Sequence, residues 1–382
     1  MKLLSIEPTP SPNSMKLNMD EKLPPGHRSS YTKDDADSAP EPLRGLLAID
    51  GVRSLFRTAD FIAIDRKPGS DWQRILEAAR ALLSSGEESA EQGGVPHESY
   101  GESHVFVQVY RGIPMQLRVR TGDAETRAAL PEQFAAAVQE AAGSGMIRER
   151  RLEELGVRYG EPEEIASEVV AELTAAYPQE RLRELIAAAR ALGAEAAPED
   201  APAAPRPEPL SPDALAASLE DPDWQVRYAA LERVAPAAEL LPQFAQAVRD
   251  DNTSIRRLAV VYLGDLRIPE ALPHLFAALQ DRSASVRRTA GDTLSDLGDP
   301  AAIPPMIDAL RDKNKLVRWR AARYLYEIGD ERAVPALHKA AEDPEFEVKL
   351  QAQIALERIE RGEEAAGSVW QQMTASRRAD AP

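Results

Sequence analysis

The sequence predicts an α+β N-terminal half followed by an all-α solenoid of paired helices. Three observations carry this. First, residues 212–361 repeat themselves: Val226, Ile255, Val286, Val317 and Val348 hold the same place in five segments, at steps of 29, 31, 31 and 31 residues. A fixed period in this range marks stacked units that cannot bury their apolar faces singly. Second, Met15, Leu17 and Met19 alternate with polar residues, and so do the sets Val105, Val107, Val109 and Met115, Leu117, Val119. That is the period of a half-buried strand. Third, the stretch 193–211 between the two regions is rich in Ala, Pro and Glu, the composition of an extended, semi-rigid linker.

Residues 1–88 read as one α+β domain. Leu3–Glu7 is a strand, Pro8–Asn13 a rigid turn segment, and Met15–Met19 a second strand. The polar stretch 24–39 reads as a mobile loop. Pro42–Ala48 is a short helix carrying Leu43, Leu46 and Leu47. Gly51–Phe56 and Phe61–Asp65 form a hairpin across Arg57–Asp60. Ser70 caps a helix from Asp71, whose stripe is Trp72, Ile75, Leu76, Ala79 and Leu82. Residues 99–192 form a second α+β domain. Its hairpin turns at Arg111-Gly112-Ile113-Pro114. Pro131 opens a helix through Ala142, ended by Gly143-Ser144-Gly145. Further helices are expected at Arg151–Leu155, Pro162–Ala176 and Gln179–Leu192.

Across the linker, the two halves are expected to move relative to each other. In the array, 212–361, each unit reads as two helices, the second beginning at the repeated Val or Ile. Val286, Ala290, Leu294 and Leu297 make one apolar stripe, as do Val317, Ala321, Leu325 and Ile328. The small residue after the first position recurs as Ala230, Ala259, Ala290, Ala321 and Ala352, which lets neighbouring helices approach closely. Pro242, Pro273, Pro304 and Pro335 recur in the first helices, where proline is tolerated in a first turn. Residues 362–382 read as a mobile tail, with Trp370 folding back on the last repeat.

Three resemblances follow from these residues. The array resembles HEAT repeats of the short PBS-lyase type. Its Asp250 and Arg256, Asp281 and Arg287, and Asp312 and Arg318 match that pattern, which implies a structural ladder between stacked units. Thr9–Leu17, Pro42-Leu43, Ile49–Val52, Leu55-Phe56, Asp60–Ile62 and Asp71-Trp72 resemble the N-terminal domain of Nfu-type iron–sulfur scaffold proteins. In that family the cluster sits on a Cys-x-x-Cys of a separate domain, which is absent here. Val105–Gln116 with Glu153–Gly160 resembles the central region of the conserved virulence factor C family, whose members join an Nfu-like domain, this region and HEAT repeats. Membership implies a cytoplasmic accessory or regulatory protein and supplies no catalytic residue.

Composition narrows the function. The chain has 382 residues, 46 Lys and Arg against 63 Asp and Glu, and a net charge of −17. Such acidity argues against general nucleic-acid binding and against an anionic membrane. With no cysteine, the chain forms no disulfide and offers no thiolate for attack, zinc or an iron–sulfur cluster. No secretory leader and no apolar run of spanning length is read, so the expected location is the cytoplasm.

No phosphate-binding, dinucleotide, zincin or nucleophile-elbow motif is present, and no catalytic, cofactor or metal residue is assigned. His97, Glu98, Glu102 and His104 could bind a metal, but a solvated linker is the plainer reading. Tyr110, Arg111 and Arg118 could form a small polar site on one hairpin face; an exposed sheet face is plainer. The sharper candidate is a strip two residues into the second helices, away from the apolar stripe: Tyr228, Arg257, Arg288 and Trp319, with Arg320 and Arg323 nearby. Aromatic and Arg residues are enriched in binding hot spots, and the strip suggests an acidic or phosphorylated protein partner. The reading is therefore a non-enzymatic adaptor, accessory either to iron–sulfur assembly, with the Nfu-like domain touching a second partner there, or to virulence regulation. Two alternatives stay open: a chromophore-lyase-like or chaperone-like enzyme, and an iron or cluster carrier using a partner's thiols.

Overall fold

The computed structural model describes residues 3–8, 14–24, 27–67, 70, 72–83, 101–121, 124–142, 150–192 and 208–362. The turn at 9–13, His97 and Glu98, most of the linker, and the tail with Trp370 lie outside them. Alternation sets the first sheet. Strands β1 (Leu3–Pro8), β2 (Ser14–Met19), β3 (Arg28–Thr32), β4 (Val52–Thr58) and β5 (Phe61–Arg66) form an antiparallel sheet in the order β1-β2-β5-β4-β3. Met15, Leu17, Leu55, Ile62 and Ile64 are buried with Leu43, Leu46 and Leu47 of α1 (Leu43–Ala48) and Ile75, Leu76 and Ala79 of α2 (Trp72–Leu83).

Two expectations are corrected here. The stretch 24–39 is not simply a loop: β3 pairs with β4, and a 3-10 turn follows over Lys33–Ser38. Asp35 accepts hydrogen bonds from the backbone and hydroxyl of Thr32, which start that turn. As a polar edge strand, β3 carries no apolar alternation to read. On α2, Leu82 is 46% exposed while Leu83 is buried, because the stripe advances four residues from Ala79.

Residues 101–297 form a compact unit of their own. Its sheet runs β8-β7-β6-β9, from β6 (Glu102–Tyr110), β7 (Ile113–Thr121), β8 (Ala124–Ala129) and β9 (Arg150–Tyr159). The hairpin turn is two residues, Arg111 (φ 47°) and Gly112 (φ 81°), both left-handed, as a tight hairpin matched to strand twist requires. Helices α3 (Glu132–Ala141), α4 (Pro162–Ala176) and α5 (Gln179–Ala191) cover it through Phe134, Val169 and Leu185. The helix expected at 151–155 is instead β9. Its Arg-, Leu- and Glu-rich sequence favours helix, but pairing with β6 along its length overrides that preference. At Gly156 (φ 95°) the register shifts, a bulge that separates exposed Arg150–Glu154 from half-buried Leu155–Tyr159.

The same unit holds α6 (Pro212–Ser218), α7 (Trp224–Glu232), α8 (Leu241–Ala247), α9 (Thr253–Asp265), α10 (Leu272–Ala278) and α11 (Ala284–Leu297). Second helices start two residues before the repeated Val or Ile. Asn252 explains why for α9: its side chain accepts from the amides of Ser254 and Ile255, an N-cap. Pro242 and Pro273 fall in the first turns of α8 and α10. Arg227 binds Asp250 in a two-pronged contact at 2.7 and 2.9 Å, and Arg256 binds Asp281 at 2.7 and 3.0 Å. Arg256 also donates to the carbonyl of Asp250, in its own repeat, at 2.9 Å. Arg287 likewise donates to the carbonyl of Asp281. Each arginine thus closes its own loop, and Arg227 and Arg256 also grip the next one. Helix α4 packs on α7, and β9 on α11. Within this unit the middle domain and the first repeats therefore pack together, where the linker suggested free movement.

Residues 298–362 contribute α12 (Ile303–Ala309), α13 (Lys315–Glu327), α14 (Val334–Ala340) and α15 (Phe346–Glu360). Arg318 grips Asp343 at 2.7 and 3.0 Å and the Asp312 carbonyl at 2.9 Å. These helices group with residues 1–100, and Leu350 of α15 is buried in the core under β1–β5.

Helices α9 and α11 meet at Gly264, where an added Cβ would collide with the Thr293 Cγ2. Gly264→Ala gains about 1 kcal/mol of helix propensity but overpacks at about 1–3 kcal/mol. The expected result is a lower urea midpoint, restored by adding Thr293→Ser, which removes the colliding methyl.

Candidate functional site

The strip expected to face solvent is covered. Tyr228 on α7, Arg257 on α9 and Arg288 on α11 are 6%, 5% and 1% exposed. Helix α4 lies against α7 and strand β9 against α11, and Arg257 of α9 reaches Glu172 of α4, so the face turned from the repeat stripe meets the middle domain. The Arg288 guanidinium lies 4.0 Å over the Tyr159 ring and pairs with Asp292 one turn on. Trp319 and Arg323 on α13 are also buried. Arg323 bonds Glu327 at 2.8 Å, and Arg320 is half-buried. As an open partner surface the strip is corrected on burial.

The charges on that face form a compact cluster. Helix α4 opens on Pro162 with Glu163 and Glu164 in its first turn, which suits a helix N-terminus. Ile165, Val169 and Leu173 pack into the middle-domain core, which leaves Glu172 on the flank toward the repeats. Arg158 of β9 donates to one Glu172 oxygen at 3.3 Å, and Arg257 of α9 to the other at 3.5 Å. Burial pushes the Glu172 carboxyl up, but Arg257, Arg158 and a hydrogen bond from Ser254 together hold it below the ordinary range. Burial lowers Arg158, as does the neighbouring Arg257 charge. Two guanidinium groups thus share one carboxylate.

Beside the cluster opens a cavity of about 490 Å³. Val157–Tyr159 and Glu172 line one side; Tyr228, Arg257, Leu258, Val261 and Asp292 line the other. Burial, then Asp292, pushes the Tyr159 hydroxyl well up. Burial likewise raises Tyr228, reinforced by Glu172, so both phenols stay neutral donors. Burial raises Asp265 at the far end, partly offset by Arg267. Among the described residues lining the cavity there is no histidine, and the chain has no cysteine. The arrangement can bind and orient a ligand, but it brings no imidazole base to a nucleophile.

The other sequence candidates do not converge. Tyr110 is fully buried, Arg111 donates to the Ala189 carbonyl of α5, and Arg118 lies 3.9 Å from Glu125. The Arg111 guanidinium lies 5.3 Å over the Tyr110 ring, while Arg118 is engaged with Glu125 of β8, so the three share no one site. His104 bonds Glu154 across β6 and β9 at 2.8 Å. Among the described residues no cluster of three or more metal-ligating side chains occurs, and no helix is long and apolar enough to cross a membrane. The sequence reading missed Arg158, Tyr159 and Glu172. One signal for Glu172 was available: an acidic residue beside Leu173, within the apolar run of α4.

Comparison with known proteins matches three family models in order. Residues 4–89 match the model described as scaffold protein Nfu/NifU N terminal, 108–186 that described as virulence factor, and 211–290 and 272–357 that described as HEAT repeats. The chain is 53% identical over 381 residues to YpgR of Bacillus subtilis, covering 99% of each chain. It is 44% identical over 379 residues to conserved virulence factor C of Staphylococcus aureus, covering 98% of this chain and 99% of that one. To the protein of the same name from Staphylococcus saprophyticus it is 38% identical over 378 residues, 98% of each.

The shared carboxylate predicts unequal substitutions. Glu172→Gln strands two buried arginines and is expected to cost about 3–5 kcal/mol. Arg257→Gln leaves Arg158 paired and is expected to cost about 1–2 kcal/mol. Because the folded pKa of Glu172 is lowered, its stabilisation is fully present above the ordinary 4.5 and is lost as pH falls through the folded value. Urea unfolding from neutral pH downward should therefore show the gap between wild type and Glu172→Gln narrowing only in acid.

Proposed function

We propose, for a chain that belongs to the conserved virulence factor C family, that it is a non-enzymatic scaffold whose repeats hold protein partners. The observation that supports this best is the bracing of the repeats. Arg227, Arg256 and Arg318 each grip the aspartate of the following repeat while closing their own loop. Within each unit that bracing holds equivalent surface positions in fixed register, which suits gripping a partner segment. The cavity supports binding over catalysis, since it gathers charged pairs and apolar walls without an imidazole or thiol. A cytoplasmic location accompanies this reading.

A second reading is favoured by the match of residues 4–89 to the Nfu/NifU N-terminal model. On it, the β1–β5 domain meets proteins of iron–sulfur assembly. The chain has no cysteine, so any cluster would be held on the partner's thiolates.

The test uses positions that are exposed and equivalent by repeat: Gln246, Ala277, Asp308 and Lys339. A photo-crosslinking residue placed at each in turn, in the native cell, should capture the same protein at two or more positions. Capture no greater than from Arg183, exposed on α5, would overturn the scaffold reading. Capture of an iron–sulfur assembly protein from Arg53, exposed on β4, alone would favour the second.

A further inference from the structure

We propose that the cavity in the 101–297 unit binds a small organic anion, with its carboxylate or phosphate at Arg257 and its apolar body along Leu258 and Val261. The cavity measures about 490 Å³, within the roughly 300–1,000 Å³ usual for small-molecule sites. Its charge is unbalanced at one end. Glu172 divides its two oxygens between Arg158 and Arg257, so one buried carboxylate answers two guanidinium groups. Arg257 is 5% exposed, lines the cavity, and among the described residues has Glu172 as its one hydrogen-bond partner. A buried cation with spare donors is costly unless it is paired. An incoming anion would supply the missing charge and accept charge-assisted hydrogen bonds, which are the strong kind.

The neighbouring acids do not already fill this role. Asp292 pairs with Arg288, and Glu232 lies 3.4 Å from Arg181. Glu168, one turn before Glu172, feels both arginines, but from the exposed side of α4, where solvent screens it. Asp265 and Asp296 also line the cavity, but at its far end: Asp265 is eight residues along α9 from Arg257, about 12 Å at the helical rise, and Asp296 follows Thr293, which packs at Gly264. Leu258 and Val261, both half-buried, lie between Arg257 and Asp265 on the same helix. The site therefore grades from cationic through apolar to acidic. That gradient selects a compact molecule with one anionic headgroup and an apolar tail, and disfavours one with a second anionic group at the far end, which would meet Asp265. The neutral hydroxyl of Tyr228 adds a donor near the cationic end.

The experiment titrates the full chain with 3-phenylpropionate and phenyl phosphate at fixed ionic strength, with 3-phenylpropionamide as the neutral control and inorganic phosphate as the headgroup alone. Saturation-transfer NMR and thermal shift read binding. At least one organic anion should bind and the amide should not; which anion wins identifies the headgroup. Arg257→Gln should weaken binding by about tenfold or more, the worth of a charge-assisted hydrogen bond. Val261→Phe leaves every charge in place, fills the apolar part, and should also abolish binding. It keeps the test decisive if Arg257→Gln folds poorly. Binding of neither organic anion, or binding that survives Val261→Phe and Arg257→Gln alike, would overturn the proposal.

Discussion

One carboxylate, Glu172, neutralises arginines from two different parts of the 101–297 unit. Arg158 comes from the edge strand of the middle sheet and Arg257 from a repeat helix. In water such a pair would contribute little. With Glu172 and Arg257 about 95% buried, each group depends on the others to offset lost hydration. The contact between α4 and the repeats is therefore selective: a shifted register would bury charge without a partner. The Tyr159 ring under Arg288 and the bulge at Gly156 serve the same contact.

The repeats contribute a second constraint. Arg227, Arg256 and Arg318 each bond a carboxylate one repeat ahead and a carbonyl at home. Two-pronged contacts of this kind fix direction as well as distance. The spacing of the second helices then fixes where Tyr228, Arg257 and Arg288 stand. The middle domain covers that face and leaves a cavity beside Glu172.

Much of this was legible in residues. The period of Val226, Ile255, Val286, Val317 and Val348 places the second helices, and Pro242 and Pro273 mark the first turns of their partners. The alternation from Val105 to Val109 places β6. What failed to read had identifiable physics. β9 is built from helix-favouring residues and is a strand because β6 pairs with it. β3 is a polar edge strand without an apolar period. The strip through Arg257 points away from the apolar stripe of its own helix, as its spacing says, but spacing within one helix cannot reveal that another domain covers it. Glu172 lay in plain view beside Leu173, and its two arginine partners lie 14 residues back and 85 ahead.

The account stands on the middle domain and the first repeats being one cooperative body fastened at Glu172. Native-state hydrogen exchange measured against rising denaturant tests this most directly. It predicts that amides of β9 and α4 and those of α7 and α9 converge on one opening free energy with one denaturant dependence. Separate isotherms, with β9 and α4 opening well below α7 and α9, would contradict it.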